Sequence, residues 1–298
     1  MAEPAVVADR LSKRFGALTA LDGLDLAVER GEVFGYLGPN GAGKTTTIRL
    51  LIDALRPSEG SVVVLGGAPR DPAVRARVGY LPAELHIDPR YTAHDVLDFF
   101  GTLRGGLDRH YASRLCERFA LDPSRRAGEL STGNRRKIGV VQAFVHRPEL
   151  LVLDEPTSGL DPLLQHQFHE LVREAVGDGA TVFLSSHTLP EVETLAHRVG
   201  ILRRGVLVDI ATVDELRDRA RQRIELHVDG DSAIAAGVFD DVAGVVSATA
   251  DGEVVHLVVE GSVDAALKAA SQLTVVRIIT LDTDLEDIFL AYYRDDAQ

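Results

Sequence analysis

Up to about residue 220, continuous apolar runs of strand length alternate with stretches whose apolar positions recur at helical spacing. EVFGYLG at 32–38 reads as a strand buried on both faces, and GKTTTIRLLIDAL at 43–55 as the helix after it. ELLVLDEP near Leu151 and ATVFLSSH near Val182 read as two more buried strands. Residues 92–146 interrupt this alternation. There TAHDVLDFFGTLRG, HYASRLCERFAL and RRKIGVVQAFVH each carry helical spacing, which predicts a helical block inserted into an α/β domain. DELRDRARQ at 214–222 predicts a charged helix and a linker. Beyond it the pattern predicts strand 224–228, helix 232–239, strand 244–250, strand 253–259, helix 263–273 and strand 274–281. The order β-α-β-β-α-β is the ferredoxin-like motif. A closing helix, LEDIFLAYYR, would present Leu285, Ile288, Phe289 and Tyr292 on one face. The expected organisation is an α/β domain over 1–220 and a small α+β domain, ferredoxin-like in order, over 221–298.

Charge sharpens the boundary. The formal net charge is -13; from Ile224 onward 15 Asp/Glu face 3 Lys/Arg, a balance of -12, which leaves -1 for everything before. So acidic a tail is unsuited to a phosphate backbone, and no nucleic-acid partner is expected. A hydrophobic fraction of 45% is ample for a buried core. The single cysteine, Cys116, excludes an internal disulfide and fits a reducing compartment. The start, MAEPAVVADRL, carries acid before any base and does not read as a secretory signal. No run of about 18 uncharged apolar residues is present, so no segment is expected to span a bilayer. A transport role would need another chain to supply the pore.

The candidate chemistry sits at the ends of the predicted strands. GPNGAGKT, from Gly38 through Pro39, Asn40, Gly41, Ala42, Gly43 and Lys44 to Thr45, with Thr46 next, matches the phosphate-binding pattern G-x-x-x-x-G-K-[ST]. Its glycines allow the backbone to turn N–H groups toward phosphate oxygens, and Lys44 can bridge the terminal phosphates. Thr45 can offer a hydroxyl to Mg2+, and the following helix aims its positive end at the anion. LLVLDEP ends a buried strand in two acids. Asp154 is expected to hold the hydration shell of Mg2+ and Glu155 to face the attacking water. FLSSH places His187 past another strand, where it can donate to a γ-phosphate or orient water. These residues together predict an enzyme that binds and hydrolyses ATP. QHQFHE, with His166, His169 and Glu170 in one helical turn, is compatible with a metal site, and more simply with a solvated helix face.

At this point the sequence resembles the nucleotide-binding subunits of ATP-binding cassette (ABC) transporters, over about residues 6–215. LSTGN at 130–134 is similar to the family signature LSGGQ, SGLD at 158–161 to the D-loop ending in Asp161, and His187 to the switch histidine. Phe15 falls where the family stacks an aromatic ring on adenine. The resemblance implies a RecA-like core with a helical subdomain. It also implies a second cassette packed head to tail, a homodimer in the simplest case, so that Ser131 and Gly133 of one copy meet the γ-phosphate held by the other. A separate transmembrane permease is implied as a further partner, with the cassette at the cytoplasmic face of the plasma membrane. Two departures stand out. VGYLPAEL has Ala83 where the family usually has glutamine, leaving Glu84 as the remaining candidate for a metal contact; and Thr132 and Asn134 replace a glycine and a glutamine of the signature.

A single cassette with a short tail ending in LEDIFLAYYR resembles the drug-resistance, ABC-2 type exporter branch. Three other roles stand beside it: an importer ATPase, a cassette acting on ribosomes or DNA, and a regulatory module that never turns over. Importer tails are often β-barrel-like, whereas this one alternates helices and strands. The ribosome branch usually carries tandem cassettes and the chromosome branch a long coiled coil, and this chain has neither. Glu155 and His187 argue against a module without turnover.

Overall fold

A computed structural model describes residues 3–219 and 221–281. The chain forms two compact units, Met1–Ile210 and Ala211–Gln298. The helix expected at 285–294 lies outside the described residues.

The first unit opens with β1 (Val6–Phe15) and β2 (Leu18–Val28), then β3 (Val33–Leu37) and α1 (Lys44–Leu51). Next come β4 (Glu59–Val64), α2 (Pro72–Arg75) and β5 (Val78–Leu81). The helical block is α3 (Ala93–Leu103), α4 (Arg109–Arg118) and α5 (Thr132–Phe144). β6 (Leu150–Asp154), α6 (Pro162–Gly177), β7 (Thr181–Ser186), α7 (Leu189–Leu195), β8 (Arg198–Arg203) and β9 (Val206–Thr212) follow. The expected helix at 43–55 is shorter than its pattern: α1 stops at Leu51, and Asp53 turns the chain at a φ of 59°. The short helix α2 and the antiparallel sheet β2-β1-β4 are additional to the elements expected from the pattern.

The main sheet runs β5-β6-β7-β3-β8-β9, and the pairs β5/β6, β6/β7, β7/β3 and β3/β8 are parallel. Its central strands are buried along their whole length, as the continuous apolar runs require. Their residues alternate between two cores. Leu151, Leu153, Val182 and Leu184 pack with α3, α4, α5 and α6 on one face. Leu150, Val152 and Phe183 pack with α1 and the antiparallel sheet on the other. This places both strand ends that carry chemistry, 154–155 and 186–187, at one edge of the sheet beside the loop before α1. Close approach helps: a Cβ at Gly79 would lie 2.2 Å from the Ala143 carbonyl, so glycine lets α5 settle onto β5.

The second unit runs α8 (Val213–Arg219), β10 (Arg221–Val228), α9 (Ser232–Gly237), β11 (Val245–Asp251), β12 (Val254–Glu260), α10 (Asp264–Ala270) and β13 (Val275–Leu281). The segment expected as a helical linker forms α8. The strands pair antiparallel in the order β11-β12-β10-β13, the ferredoxin-like arrangement of a split β-α-β unit. Ile224, Leu226, Val228, Val255, Leu257 and Val259 face the helices, where Ala235, Phe239, Ala266 and Ala270 close the core. The alternate positions, among them Glu225, His227 and His256, line the opposite face, with His256 Nδ1 3.7 Å from Glu225 Oε1. Among the described residues no helix is long and apolar enough to cross a membrane.

Candidate functional site

The loop from Gly38 to Gly43 leaves the end of β3 and enters α1. Gly43 is at a φ of 113°, and a Cβ there would sit 2.7 Å from the Ala20 carbonyl, so both conformation and space require glycine. A Cβ at Gly38 would meet the Leu202 carbonyl at 2.6 Å. The loop is thus pressed against β8; the Gly38 amide donates to the Ser186 carbonyl at 3.4 Å and the Ala42 amide to the Pro39 carbonyl at 3.1 Å, and the amides of the first turn of α1 are left to converge on an anion. Lys44 is buried, and its Nζ donates to the carbonyls of Gly38 at 2.5 Å and Pro39 at 3.3 Å. The hydroxyl of Thr47, one turn on, donates to the Gly43 carbonyl and meets the buried Tyr36 hydroxyl at 3.1 Å. Burial drives the Tyr36 phenol far above its ordinary range, so it acts as a neutral strut.

Asp154 and Glu155 complete the end of β6, as the sequence reading expected. Asp154 Oδ1 accepts from Ser185 Oγ at 2.6 Å, while its Oδ2 is buried without a hydrogen bond. Such an orphaned carboxylate oxygen has an unmet demand for a cation or a hydrogen-bond donor. Glu155 departs from the strand at a φ of 47°, a left-handed conformation that turns its side chain back over the phosphate loop. Its Oε1 lies 3.4 Å from Lys44 Nζ and its Oε2 2.5 Å from His187 Nδ1. The carboxylate therefore bridges the phosphate-loop lysine and the histidine after β7.

Residues outside the sequence-derived set hold this arrangement. Ser186 Oγ donates to Glu191 Oε2 at 2.7 Å and accepts from the Thr188 amide at 3.0 Å, folding the loop that carries His187. Glu191 Oε1 is buried beside Thr157 without a well-formed hydrogen bond. Burial pushes its carboxyl upward, against the pull of hydrogen bonds, and Glu155 adds to the rise. Arg136, only 5% exposed, donates from α5 into the carbonyls of Asp154, Glu155 and Pro156. Two arginines and a lysine at the start of the helix pattern 135–145 were the available signal, but the partners of Arg136 are backbone carbonyls, which leave no trace in sequence.

The remaining candidates lie apart from this centre. Phe15 is 45% exposed at the end of β1, with Lys13 Nζ 5.1 Å from its ring centroid. Ser131 caps α5 by accepting from the Asn134 amide at 3.2 Å. Gly133 stands so close to the D-loop that a Cβ would come within 2.8 Å of the Gly159 carbonyl. Asp161 caps α6 through the Leu164 amide. Among the described residues no hydrogen bond or ion pair joins 131–134 to 38–46. Glu84 is exposed, and Ala83 meets the site only through its carbonyl, on Arg136. The QHQFHE turn forms no metal cluster: Glu170 pairs with Arg173 at 2.6 Å, and no group of three metal-ligating side chains occurs among the described residues.

A parallel sheet, a phosphate loop opening a helix, and a carboxylate pair at the neighbouring strand tip define a P-loop ATPase of the ABC cassette fold. The chain belongs to the ABC transporter family. The family profile, described as ABC transporter, matches residues 21–158. The daunorubicin resistance ATP-binding protein DrrA3 of Streptomyces coeruleorubidus is 41% identical over 224 residues, 73% of this chain and 71% of that protein. Nod factor export ATP-binding protein I of Paraburkholderia xenovorans is 39% identical, covering 69% and 70%. A solved structure of an ATP-binding subunit of an ABC transporter is 30% identical, with a TM-score of 0.67 over 72% of this chain and 92% of that one. The chain is an ATPase.

Proposed function

We propose that this chain is the energy-coupling subunit of an exporter, in which ATP closes two cassettes on each other and hydrolysis lets them part. The observation that carries the reading is Glu155 held between Lys44 and His187 at the mouth of the phosphate loop. Incoming phosphates compete with Glu155 for Lys44, which frees the carboxylate to take a proton from water while His187 donates toward the γ-phosphate. Lys44 and the amides from Gly43 to Thr46 stabilise the charge that develops on the phosphoryl oxygens. The residues fit Mg2+: Thr45 and the orphaned Oδ2 of Asp154 would hold it, and the ion would neutralise phosphate charge. Phe15 is free to stack on adenine.

Ser131 and Gly133 begin α5 on the D-loop side and make no hydrogen bond to their own phosphate loop, which supports the γ-phosphate of a second copy as their target. Asp161 lies on the same side. A groove of about 750 Å³ between the loop after β5 and α3, lined by Tyr80, Pro82, Leu85, Tyr91, Phe99 and Phe100, suits an amphipathic helix of a membrane permease. Such a complex would sit at the cytoplasmic face of the plasma membrane. The daunorubicin resistance and Nod factor export relatives favour export over import.

The test is Glu155→Gln, which keeps shape and removes the base. ATP should still bind, turnover should fall by at least about 100-fold, and gel filtration with ATP should show a stable dimer. A variant that stays monomeric with ATP and hydrolyses normally would sink the assignment.

A further inference from the structure

The loop after β5 lacks the glutamine side chain by which the resemblance would join it to the reacting centre, since Ala83 stands in its place. The structure holds a different connection. Arg136 reaches from α5 between two loops. Its Nη1 donates to the carbonyls of Pro82 and, at 2.7 Å, Ala83. Its Nη2 donates to those of Asp154 at 2.9 Å and Glu155 at 2.6 Å, and its Nε to that of Pro156 at 3.3 Å. A guanidinium carries five N–H bonds in one plane, and here each meets a main-chain oxygen. A lysine offers three donors from a single point, and a glutamine two.

We propose that Arg136 is a positioning residue that ties the loop at 82–83 to the backbone of Glu155, so that movement of that loop is transmitted to the water-facing carboxylate. The inference rests on the reading of Glu155 given above. Three observations converge on it. The tie is made to carbonyls and is therefore indifferent to the alanine at 83. Glu155 sits at a φ of 47°, a conformation that a non-glycine residue keeps only where its surroundings hold it. The holders are Arg136 on its carbonyl and the Ser185 carbonyl, 3.1 Å from its amide. Pro82 also lines the 750 Å³ groove, so pressure applied there acts on one end of the tie.

The test compares Arg136→Gln and Arg136→Lys with the unaltered full chain. Nucleotide affinity should stay within about threefold, because the phosphate loop is untouched. The kcat should fall at least about tenfold in Arg136→Gln, with partial recovery in Arg136→Lys, a loss of roughly 1.4 kcal/mol of barrier stabilisation per tenfold. Amide hydrogen exchange should quicken together at 83–86 and 155–159. Unchanged kcat in a folded variant, or equal loss of nucleotide affinity and kcat, would overturn the proposal. So would faster exchange in only one of the two segments. Should Arg136→Gln not fold, the same readouts in Arg136→Lys decide. Failure here with Glu155→Gln still trapping a dimer removes only the tie; failure of Glu155→Gln removes the reading beneath it.

Discussion

Glu155 holds the site in a self-paired state, because its two oxygens meet Lys44 and His187. A buried lysine with a carboxylate 3.4 Å away is already compensated, and phosphates must displace that partner. Replacing Lys44 by Ala removes the cation and leaves Glu155 facing the phosphates unshielded. We expect ATP binding to weaken and turnover to drop at least about 100-fold in Lys44→Ala. Turnover at the wild-type level in pure protein would refute the role of the loop. A second expectation concerns Ser185. Its hydroxyl holds one oxygen of Asp154 and leaves the other orphaned. Ser185→Ala should free the carboxylate to rotate, raising the Mg2+ concentration for half-maximal turnover several-fold with little change in metal-free nucleotide binding. An unchanged Mg2+ curve would show that the carboxylate needs no such restraint.

Among the elements, α5 carries the most varied duties. Its first turn bears Ser131 and Gly133, its middle the Arg136 clamp, and just past its last turn His146 meets β5. His146 Nε2 is 3.3 Å from the Val78 carbonyl, and its Nδ1 is buried without a partner. Burial first, and nearby Arg104 second, pull its pKa down to about 4. The unfolded chain then binds the extra proton more readily than the folded one between pH 6.5 and about 4, so stability falls as pH drops through that window. Allowing for its partial solvent contact, His146 accounts for about 1 kcal/mol of the loss at pH 5. In His146→Gln the drop in Tm between pH 7 and pH 5 should shrink by about 2–4 °C. A drop equal to wild type would place the acid sensitivity elsewhere.

At the scale of the whole molecule, the nucleotide residues all belong to the unit Met1–Ile210, and nearly all the net charge belongs to the other. The ferredoxin-like unit has its own core, closed by α9 and α10. Its acidic surface should repel a second tail, by an amount that salt weakens. A chain ended at Arg219 should therefore bind ATP with near-normal affinity, while export by cells that also carry the proposed permease falls. Loss of nucleotide binding in that folded, shortened protein would make the tail part of the site. Full export would remove its proposed role.

The sequence by itself determined the features whose partners are close along the chain. The phosphate loop needs only a strand before it, glycines within it and a helix after it. The two acids need only a buried run that ends beside them. The tail order was equally legible, because each strand alternates and each helix is bounded by turns. The antiparallel sheet β2-β1-β4 escaped the pattern, since β1 carries register shifts at Ala8/Leu11, Leu11/Lys13 and Lys13/Arg14 that break its alternation. Only the tertiary structure decided the strand order that sets β3 between β7 and β8, and with it the meeting of Lys44, Glu155 and His187. It alone also decided the Arg136 clamp: parallel strands pair across long stretches of chain, and backbone carbonyls have the same chemistry at every residue.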